Sequence, residues 1–283
     1  MLRLFKAFLF RLRRDLTFRI TLFIGIGLAI FMTVLYIAIE NMLKVDDISI
    51  KLFTGQSMLI SSLSPANNFG IAIPVNLISF TIIEFSHGTI RNKIIAGNSK
   101  GKIYASLFLS GLIFSLVLIF VYAGLCTLLG TIFGGFNPKN SMSIYAIATG
   151  ANLSDSYVVR IVIVSLFSYI SISSFAVFIA TLTRQIGGAI PIVIIGILFC
   201  YFAGTIVSMM SGLESMKGLI TTIRIIDPLY AISEQNVVID ETTNEAIQVM
   251  RDDTFISGMI NNLVYTALFF VSGLFIFKKR DVK

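Results

Sequence analysis

The polar side chains that could do chemistry in this sequence are concentrated in residues 84–104. Glu84 and His87 lie three positions apart, and such a pair can relay a proton or supply half of a metal site. His87 is the only histidine of the chain and no cysteine lies near it, so the sequence does not predict a complete metal site. The segment also holds four bases, which favour a binding surface: Arg91, Lys93, Lys100 and Lys102.

Sequence motifs for nucleotide binding and for hydrolysis are absent. The glycine- and lysine-rich run at residues 97–102 lacks the Gly-x-x-x-x-Gly-Lys-Ser/Thr spacing of a phosphate-binding loop. The sequence also contains no Gly-x-Ser-x-Gly elbow and no His-Glu-x-x-His pair. We therefore expect a chain that binds no cofactor, so that any ATP that drives it is bound by another subunit.

Residues 89–96 are predicted to form a short helix. Thr89 is a candidate N-cap, and Gly97 is a typical C-terminal stop. Ile90 and Ile94 are four positions apart and share one face of this helix. Arg91 and Lys93 project from its other faces. A short helix with an apolar face and basic residues at its border is predicted to dock into a groove of a soluble partner. Glu84, just before this helix, is expected to cap or pair with the basic loop and hold its angle.

A pattern of residues extends over the whole segment: Glu84 with an aromatic neighbour, the run Gly88-Thr89-Ile90-Arg91-Asn92-Lys93, and a basic turn that leads into Ile103-Tyr104. This pattern resembles the first cytoplasmic loop of ABC-2-type permeases, the membrane subunits of certain ABC exporters. The resemblance implies a coupling helix that sits on a separate ATPase subunit, which holds the ATP and Mg²⁺. It assigns coupling to Glu84, Gly88, Thr89, Ile90, Arg91, Lys93 and Ile94. A solvated basic loop that only fixes topology is the alternative interpretation.

The composition is that of an integral membrane protein. Of 283 residues, 56% are hydrophobic and only 13% are charged, about half the charged fraction of a soluble protein. The net charge of +7 does not indicate a nucleic-acid partner, because the bases lie beside apolar runs, as the positive-inside rule describes. The two cysteines, Cys126 and Cys200, fall inside apolar runs, so no disulfide framework is predicted.

Six apolar runs match the thickness of a bilayer and predict a single all-α domain with six transmembrane helices. The predicted spans are residues 20–39, 65–83, 104–129, 160–182, 186–210 and 255–277. The side with both termini and the loop 84–103 carries 15 of the 22 Lys and Arg residues but 3 of the 15 acids, so it is predicted to be cytoplasmic. The segment of residues 211–253, which is rich in acids, is predicted to be extracellular and to form short surface or re-entrant helices.

Residues 1–18 are predicted to form an amphipathic helix at the membrane interface. Its apolar side would face acyl chains and its basic side would face anionic headgroups, which makes membrane lipids a predicted partner. The basic residues assigned to the membrane surface are Arg3, Lys6, Arg11, Arg13 and Arg14. Of these, Arg11 lies at the boundary between the two sides.

Polar residues within two predicted spans are candidates to line a pathway: Asn68 and Asn76 in the second span, Ser168 and Ser171 in the fourth. Close packing between helices is the favoured role of the serines, which are small and can bond across helices. No acid or base lies at mid-depth of a predicted span, which disfavours an ion-driven secondary carrier.

Together with the resemblance to ABC-2-type permeases, these features lead us to expect the permease subunit of an ATP-driven exporter in a bacterial cell membrane. It would form its pathway with a second copy or a paralogue. The apolar spans and short loops favour a hydrophobic or amphipathic peptide, antibiotic or drug as the substrate. The alternatives are a membrane-embedded enzyme or immunity protein, for which the sequence offers no catalytic cluster at one depth, and a secondary carrier.

The predicted topology is tested by two single cysteines in a variant without Cys126 and Cys200. We expect cysteines at Asn98 and at Asn244 to react with an impermeant maleimide from opposite sides of the membrane, because the two residues belong to the basic and the acidic pole of the chain. Labelling of both from the same side would contradict six spans.

Overall fold

The computed structural model describes seven stretches of the chain: residues 2–42, 54–65, 68–136, 152–209, 217–233, 237–239 and 246–279. Helices account for 88% of these residues. Residues 43–53 and 137–151, which lie between predicted spans, are outside the described residues, as are Asn244 and the residues from 280 onward.

The elements follow in chain order. They are α1 (Leu2–Arg14), α2 (Leu16–Met42), α3 (Gly55–Leu63), α4 (Asn68–Ser86), α5 (Thr89–Ile95), α6 (Lys100–Gly134), β1 (Asn152–Leu153), α7 (Asp155–Thr183), α8 (Ile186–Met209), α9 (Lys217–Ile226), α10 (Tyr230–Ser233), β2 (Val237–Ile239), β3 (Ala246–Gln248) and α11 (Asp252–Lys279).

Within the described stretches, five helices are long and apolar enough to cross a membrane: α2, α6, α7, α8 and α11. The prediction of a helical, multi-pass membrane protein is therefore confirmed. A sixth crossing depends on α4 and α5, which meet the same criterion only as a pair and are bent by 53° at the break between them. The bend occurs where Gly88 adopts a left-handed backbone, with φ of 66°, which glycine tolerates at little cost.

Helix α7 is the central helix of the bundle. It packs against α4, α6, α8 and α11, and its five serines between residues 165 and 174 are buried. Ser173 donates a hydrogen bond to Ser115 of α6 at 2.7 Å, a contact between helices of the kind that favours close packing in lipid. The turn after α7 is as short as predicted, since Arg184 takes a left-handed conformation (φ 54°) and α8 begins at Ile186.

Helix α3 lies between the first two predicted spans, residues 20–39 and 65–83, where the sequence analysis predicted no helix. It is buried, and Thr54 and Ser57 close its first turn as a capping box. The amides of Gly55 and Gln56 donate to the carbonyls that follow α6, those of Gly135 and Phe136, at 2.9 and 3.0 Å. These bonds satisfy the free N–H groups of α3, which is why a short helix can be buried there.

A small sheet is the second feature that the all-α prediction missed. Its order is β1-β3-β2, with β1 parallel and β2 antiparallel to β3. In this register Ile247 of the central strand β3 lies between Asn152 of β1 and Val238 of β2. The sheet ties the entry of α7 to the segment before α11. Arg160 of α7 strengthens this link through an ion pair with Asp252 at 2.6 Å.

Tyr104 occupies the centre of an aromatic cluster between α6 and α11. It is fully buried, and its ring centroid lies 5.7 Å from that of Phe270 and 5.6 Å from that of Phe277. Gly273 of α11 lies directly against the Tyr104 hydroxyl, where any side chain would collide. The absence of a Cβ atom therefore sets the distance between the two helices.

We expect Gly273→Ala to lower the stability of the purified protein by about 1–3 kcal/mol, the usual cost of overpacking. A Cβ atom there would lie 2.0 Å from the Tyr104 hydroxyl oxygen. Heating in detergent followed by size-exclusion chromatography measures the loss, and adding Tyr104→Phe should restore part of it. Gly124→Ala is the control, since a Cβ atom at Gly124 meets nothing within 4 Å. Equal losses in both alanine variants would contradict the contact.

Candidate functional site

Glu84, in the last turn of α4, lies where three helices meet. Its side chain is 0% exposed. One carboxylate oxygen lies 2.7 Å from the guanidinium of Arg11 on α1. The other accepts hydrogen bonds from the Thr89 hydroxyl at 2.5 Å and from the Lys93 ammonium at 3.0 Å, both on α5. A single buried carboxylate thus joins α1, α4 and α5, and the predicted pairing of Glu84 with the basic loop is present.

The charges around Glu84 balance the cost of its burial. An ionised carboxylate without partners in an apolar interior is strongly unfavourable, so it is normally paired and hydrogen-bonded. Here two cations reach it, and Lys93 also lies 3.3 Å from the ring centroid of Phe8. A cation over an aromatic face gains further attraction. Phe8 belongs to α1 and Lys93 to α5, so this contact joins the two helices directly.

The ends of α5 agree with the predicted helix, but its first turn is built differently. Gly88 is the N-cap, and Thr89 is the first helical residue rather than the cap. The Thr89 hydroxyl turns back to α4, where its single hydrogen is shared between the Glu84 carboxylate and the Glu84 carbonyl oxygen, which lies 2.8 Å away. At the other end Gly97 is left-handed, with φ of 85°, and its amide bonds to the Ile94 carbonyl at 2.9 Å, which confirms the predicted stop.

The predicted orientation of α5 is wrong. Ile90 is 0% exposed and Ile94 is half-buried, and both pack against the core of the same chain. Lys93 also turns inward, to Glu84. A surface helix gains most by burying its apolar face on its own domain, and these isoleucines do so. The face that remains for a partner consists of Arg91, Asn92, Ile95 and Ala96, of which Ile95 is 74% exposed.

Helix α1 also lies closer to the protein than predicted. Phe8 is buried and Leu4 packs against the core, so the apolar side meets α6 and α2 rather than acyl chains alone. Arg11 was assigned to the membrane surface, but its guanidinium pairs with Glu84. The exposed basic side chains of α1 are those of Lys6, Arg13 and Arg14, for which headgroup contact stays a prediction; the side chain of Arg3 lies outside the described residues.

The structure describes the side chains of three of the four predicted pathway residues, and their surroundings differ. Asn76 is half-buried and donates to the carbonyl of Ala72 in its own helix at 2.8 Å. The side chain of Asn68 lies outside the described residues. Ser168 is buried in a hydrogen-bonded contact between helices, whereas Ser171 lines a cavity. Packing was the favoured role of the serines, and Ser168 fits it.

Asn262 of α11 is a buried polar residue that the sequence analysis did not single out. Its amide nitrogen is within hydrogen-bonding distance of three oxygens: Ser168 Oγ at 3.1 Å, Pro228 O at 3.0 Å and Gly258 O at 2.8 Å. These contacts hold the turn at residues 227–229 against α7 and α11. The signal in the sequence was an amide inside an otherwise apolar span, which is costly without partners.

A metal or proton site at Glu84 and His87 receives no support from the geometry. His87 is exposed, whereas the Glu84 carboxylate faces inward to Arg11, Thr89 and Lys93. Within the described stretches, no group of three or more His, Cys, Asp or Glu side chains could hold a metal ion. The contacts of Glu84 fix the position of α5. This geometry suits binding of a partner at the exposed face of α5.

Comparisons with known proteins leave the family open. No family model, curated protein or solved structure matches this chain. The resemblance to ABC-2-type permeases therefore stays a prediction from the residues of the 84–104 segment. The function proposed below depends on the contacts of Glu84 and on the exposed face of α5.

We expect Glu84→Gln to loosen both α1 and α5, because the amide keeps the size of the side chain but removes the charge that Arg11 and Lys93 share. The loss should be about 2–4 kcal/mol, below that of a fully buried pair because both cations retain some solvent. Limited chymotrypsin digestion at the aromatic residues of α1 reports the release of that helix.

Two further variants make this test specific. Arg11→Gln should cause less additional release in the Glu84→Gln background than in the wild type, because its partner charge is already absent. Arg13→Gln is the matched control, since the Arg13 side chain is exposed. If Glu84→Gln digests no faster than Arg13→Gln, the carboxylate does not hold α1 in place.

Proposed function

We propose that this chain is the permease subunit of a bacterial ABC exporter of the ABC-2 type. It would cross the cell membrane six times, with α4 as the second span and both termini in the cytoplasm. Two copies, or one copy and a paralogue, would form the pathway. ATP and Mg²⁺ would be bound by separate ATPase subunits seated on α5, and the cargo would be a hydrophobic or amphipathic peptide, antibiotic or drug.

The observation that carries this proposal is the attachment of α5 to the bundle through Glu84. Transfer of motion from an ATPase needs a rigid element, because a flexible loop would absorb the movement. The short helix is tied to α4 by the Thr89 hydroxyl and the Lys93 ammonium, and Ile90 is buried beneath it. A loop that only fixed topology would need basic residues but none of these buried contacts.

The exposed face of α5 has the chemistry of a docking surface. Ile95 is 74% exposed beside the exposed side chains of Arg91 and Asn92. An apolar side chain surrounded by polar ones fits a small pocket with a polar rim, the usual arrangement at protein interfaces. Arg91 gives this face a positive charge, which complements a partner with acids around its pocket.

Contacts between the ends of the helices support the proposed topology. Lys100, at the start of α6, donates to the carbonyl of Lys278 near the end of α11 at 3.3 Å. The ion pair of Arg11 with Glu84 holds α1 against the end of α4 that leads into the basic loop. The basic loop, the N-terminal helix and the basic end of α11 thus share one face of the bundle, as expected for a cytoplasmic side.

The proposal is tested by co-expression with an ATPase encoded beside the gene for this chain. We expect the two proteins to purify together from detergent, and we expect ATP hydrolysis by the ATPase to rise when the permease is present. An ATPase that neither binds the chain nor responds to it would remove the main support for the assignment.

Point variants locate the docking face. We expect Arg91→Glu and Ile95→Asp each to weaken ATPase binding about tenfold or more, the effect of losing one important interface side chain. Both residues are exposed, so the fold and membrane insertion should be kept. Arg13→Glu, which reverses an exposed charge on α1, is the control. Unchanged affinity in both α5 variants would exclude this face as the ATPase contact.

A further inference from the structure

A cavity of about 350 Å³ lies between α7, α8, α9 and α11, next to the turn at residues 227–229. Its volume falls in the range of sites for small organic molecules. Almost all of its lining is apolar, including Phe175, Phe199 and Phe269. Phe199 and Ile226, both in the lining, are 72% and 57% exposed, so the cavity opens to the side of the bundle between α8 and α9.

Asp227 is the single charged residue among those that line the cavity. It is 7% exposed. One carboxylate oxygen accepts the amide hydrogen of Leu229 at 2.9 Å, and the other is buried without a hydrogen-bond partner in the described part of the protein. A buried carboxylate oxygen without a donor is costly, so this group is suited to a positively charged partner that a ligand brings.

The surroundings of Asp227 keep it ionisable. Burial raises its pKa to about 6, and the Leu229 amide opposes that rise. The titratable side chains that face it are Cys200 of α8 and Tyr265 of α11. Arg224, one turn earlier on α9, has a side chain outside the described residues. At neutral pH the carboxylate therefore carries its charge for most of the time.

Aromatic rings provide a second, independent reason to expect a cation. Phe269 lies 5.1 Å from Phe175 and 5.9 Å from Tyr265, measured between ring centroids, and all three line the cavity. The faces of aromatic rings attract cations, especially where water is excluded. The Tyr265 hydroxyl donates to the carbonyl of Ile226, which holds this ring beside the turn that carries Asp227.

We infer that this cavity binds a lipophilic organic cation, with its charge at Asp227 and its apolar body among the rings of α7, α8 and α11. The lateral opening suits a ligand that arrives from the bilayer. The inference names a substrate class for the exporter proposed above and in that sense rests on the proposed function. Binding itself needs neither an ATPase nor transport, so the two proposals can fail separately.

The test uses two probes of nearly the same shape and opposite charge, tetraphenylphosphonium and tetraphenylborate. Their binding to the full chain in nanodiscs of zwitterionic lipid is measured by equilibrium dialysis, with empty nanodiscs subtracted. We expect the phosphonium ion to bind at least about tenfold more tightly than the borate ion, the ratio that a difference of 1.4 kcal/mol gives. Equal binding of the two ions would overturn the inference and leave an apolar cavity for acyl chains.

Variants assign the effect to Asp227. Asp227→Asn should abolish the preference for the cation, while its side-chain oxygen can still accept the Leu229 amide. Asp253→Asn, the same change at an exposed acid, should leave the preference unchanged. Ala203→Phe, which fills part of the cavity, should weaken phosphonium binding. A preference that survives Asp227→Asn, or binding that survives Ala203→Phe, would place the cation elsewhere and refute the site.

Acidification provides a separate readout. The ionised carboxylate binds the cation, so affinity should be highest above the raised pKa and fall as pH drops through about 6. Between pH 7 and pH 5 the ionised fraction falls about tenfold, and phosphonium binding should weaken by a similar factor. The Asp227→Asn variant should show no such dependence. A pH dependence that is the same in the variant and the wild type would contradict the assigned role.

Discussion

The buried carboxylate of Glu84 is the constraint on which the packing of α1, α4 and α5 depends. Removing a carboxylate from water is unfavourable unless charged and hydrogen-bonding groups replace the solvent. Arg11, Thr89 and Lys93 supply them, and they come from helices on both sides of α4 in the chain. The position of α1 and the 53° bend between α4 and α5 are therefore coupled to one side chain. Movement of α5 relative to α4 would break bonds to Glu84.

The two ends of the bundle are linked by helix packing. Helix α4 carries Glu84 in its last turn and packs against α7 and α8. These two helices also form part of the wall of the cavity at Asp227. Between the ends, the buried polar contacts join hydroxyl groups such as those of Ser115 and Ser173, which need little space. A displacement of α4 thus reaches the cavity through a contiguous set of packed helices, the physical requirement for coupling two distant sites.

Hydrophobic run length predicted α2, α6, α7, α8 and α11, because the thickness of the bilayer sets a length that a sequence must match. It could not predict α3, which is buried through backbone bonds to residues 135–136 that only the fold brings close. The three short strands were missed for the same reason, since their partners lie far apart in the chain. In α5 the spacing of Ile90 and Ile94 predicted a shared face, and that face exists. Spacing carries no information on whether such a face meets the same chain or a partner.

Two buried acids, Glu84 and Asp227, are treated differently by this fold. Glu84 has two cations within 3.0 Å, both from the same chain. Its negative charge is therefore neutralised within the protein, and its effect is to fix the positions of helices. Asp227 has one backbone donor, and its second oxygen faces a cavity lined by aromatic rings. A carboxylate that is already paired with two cations gains little free energy from a charged ligand. A carboxylate with an unpaired oxygen is stabilised by a cation that replaces the water it has lost. The same side-chain chemistry therefore stabilises structure at one end of the bundle and favours binding at the other.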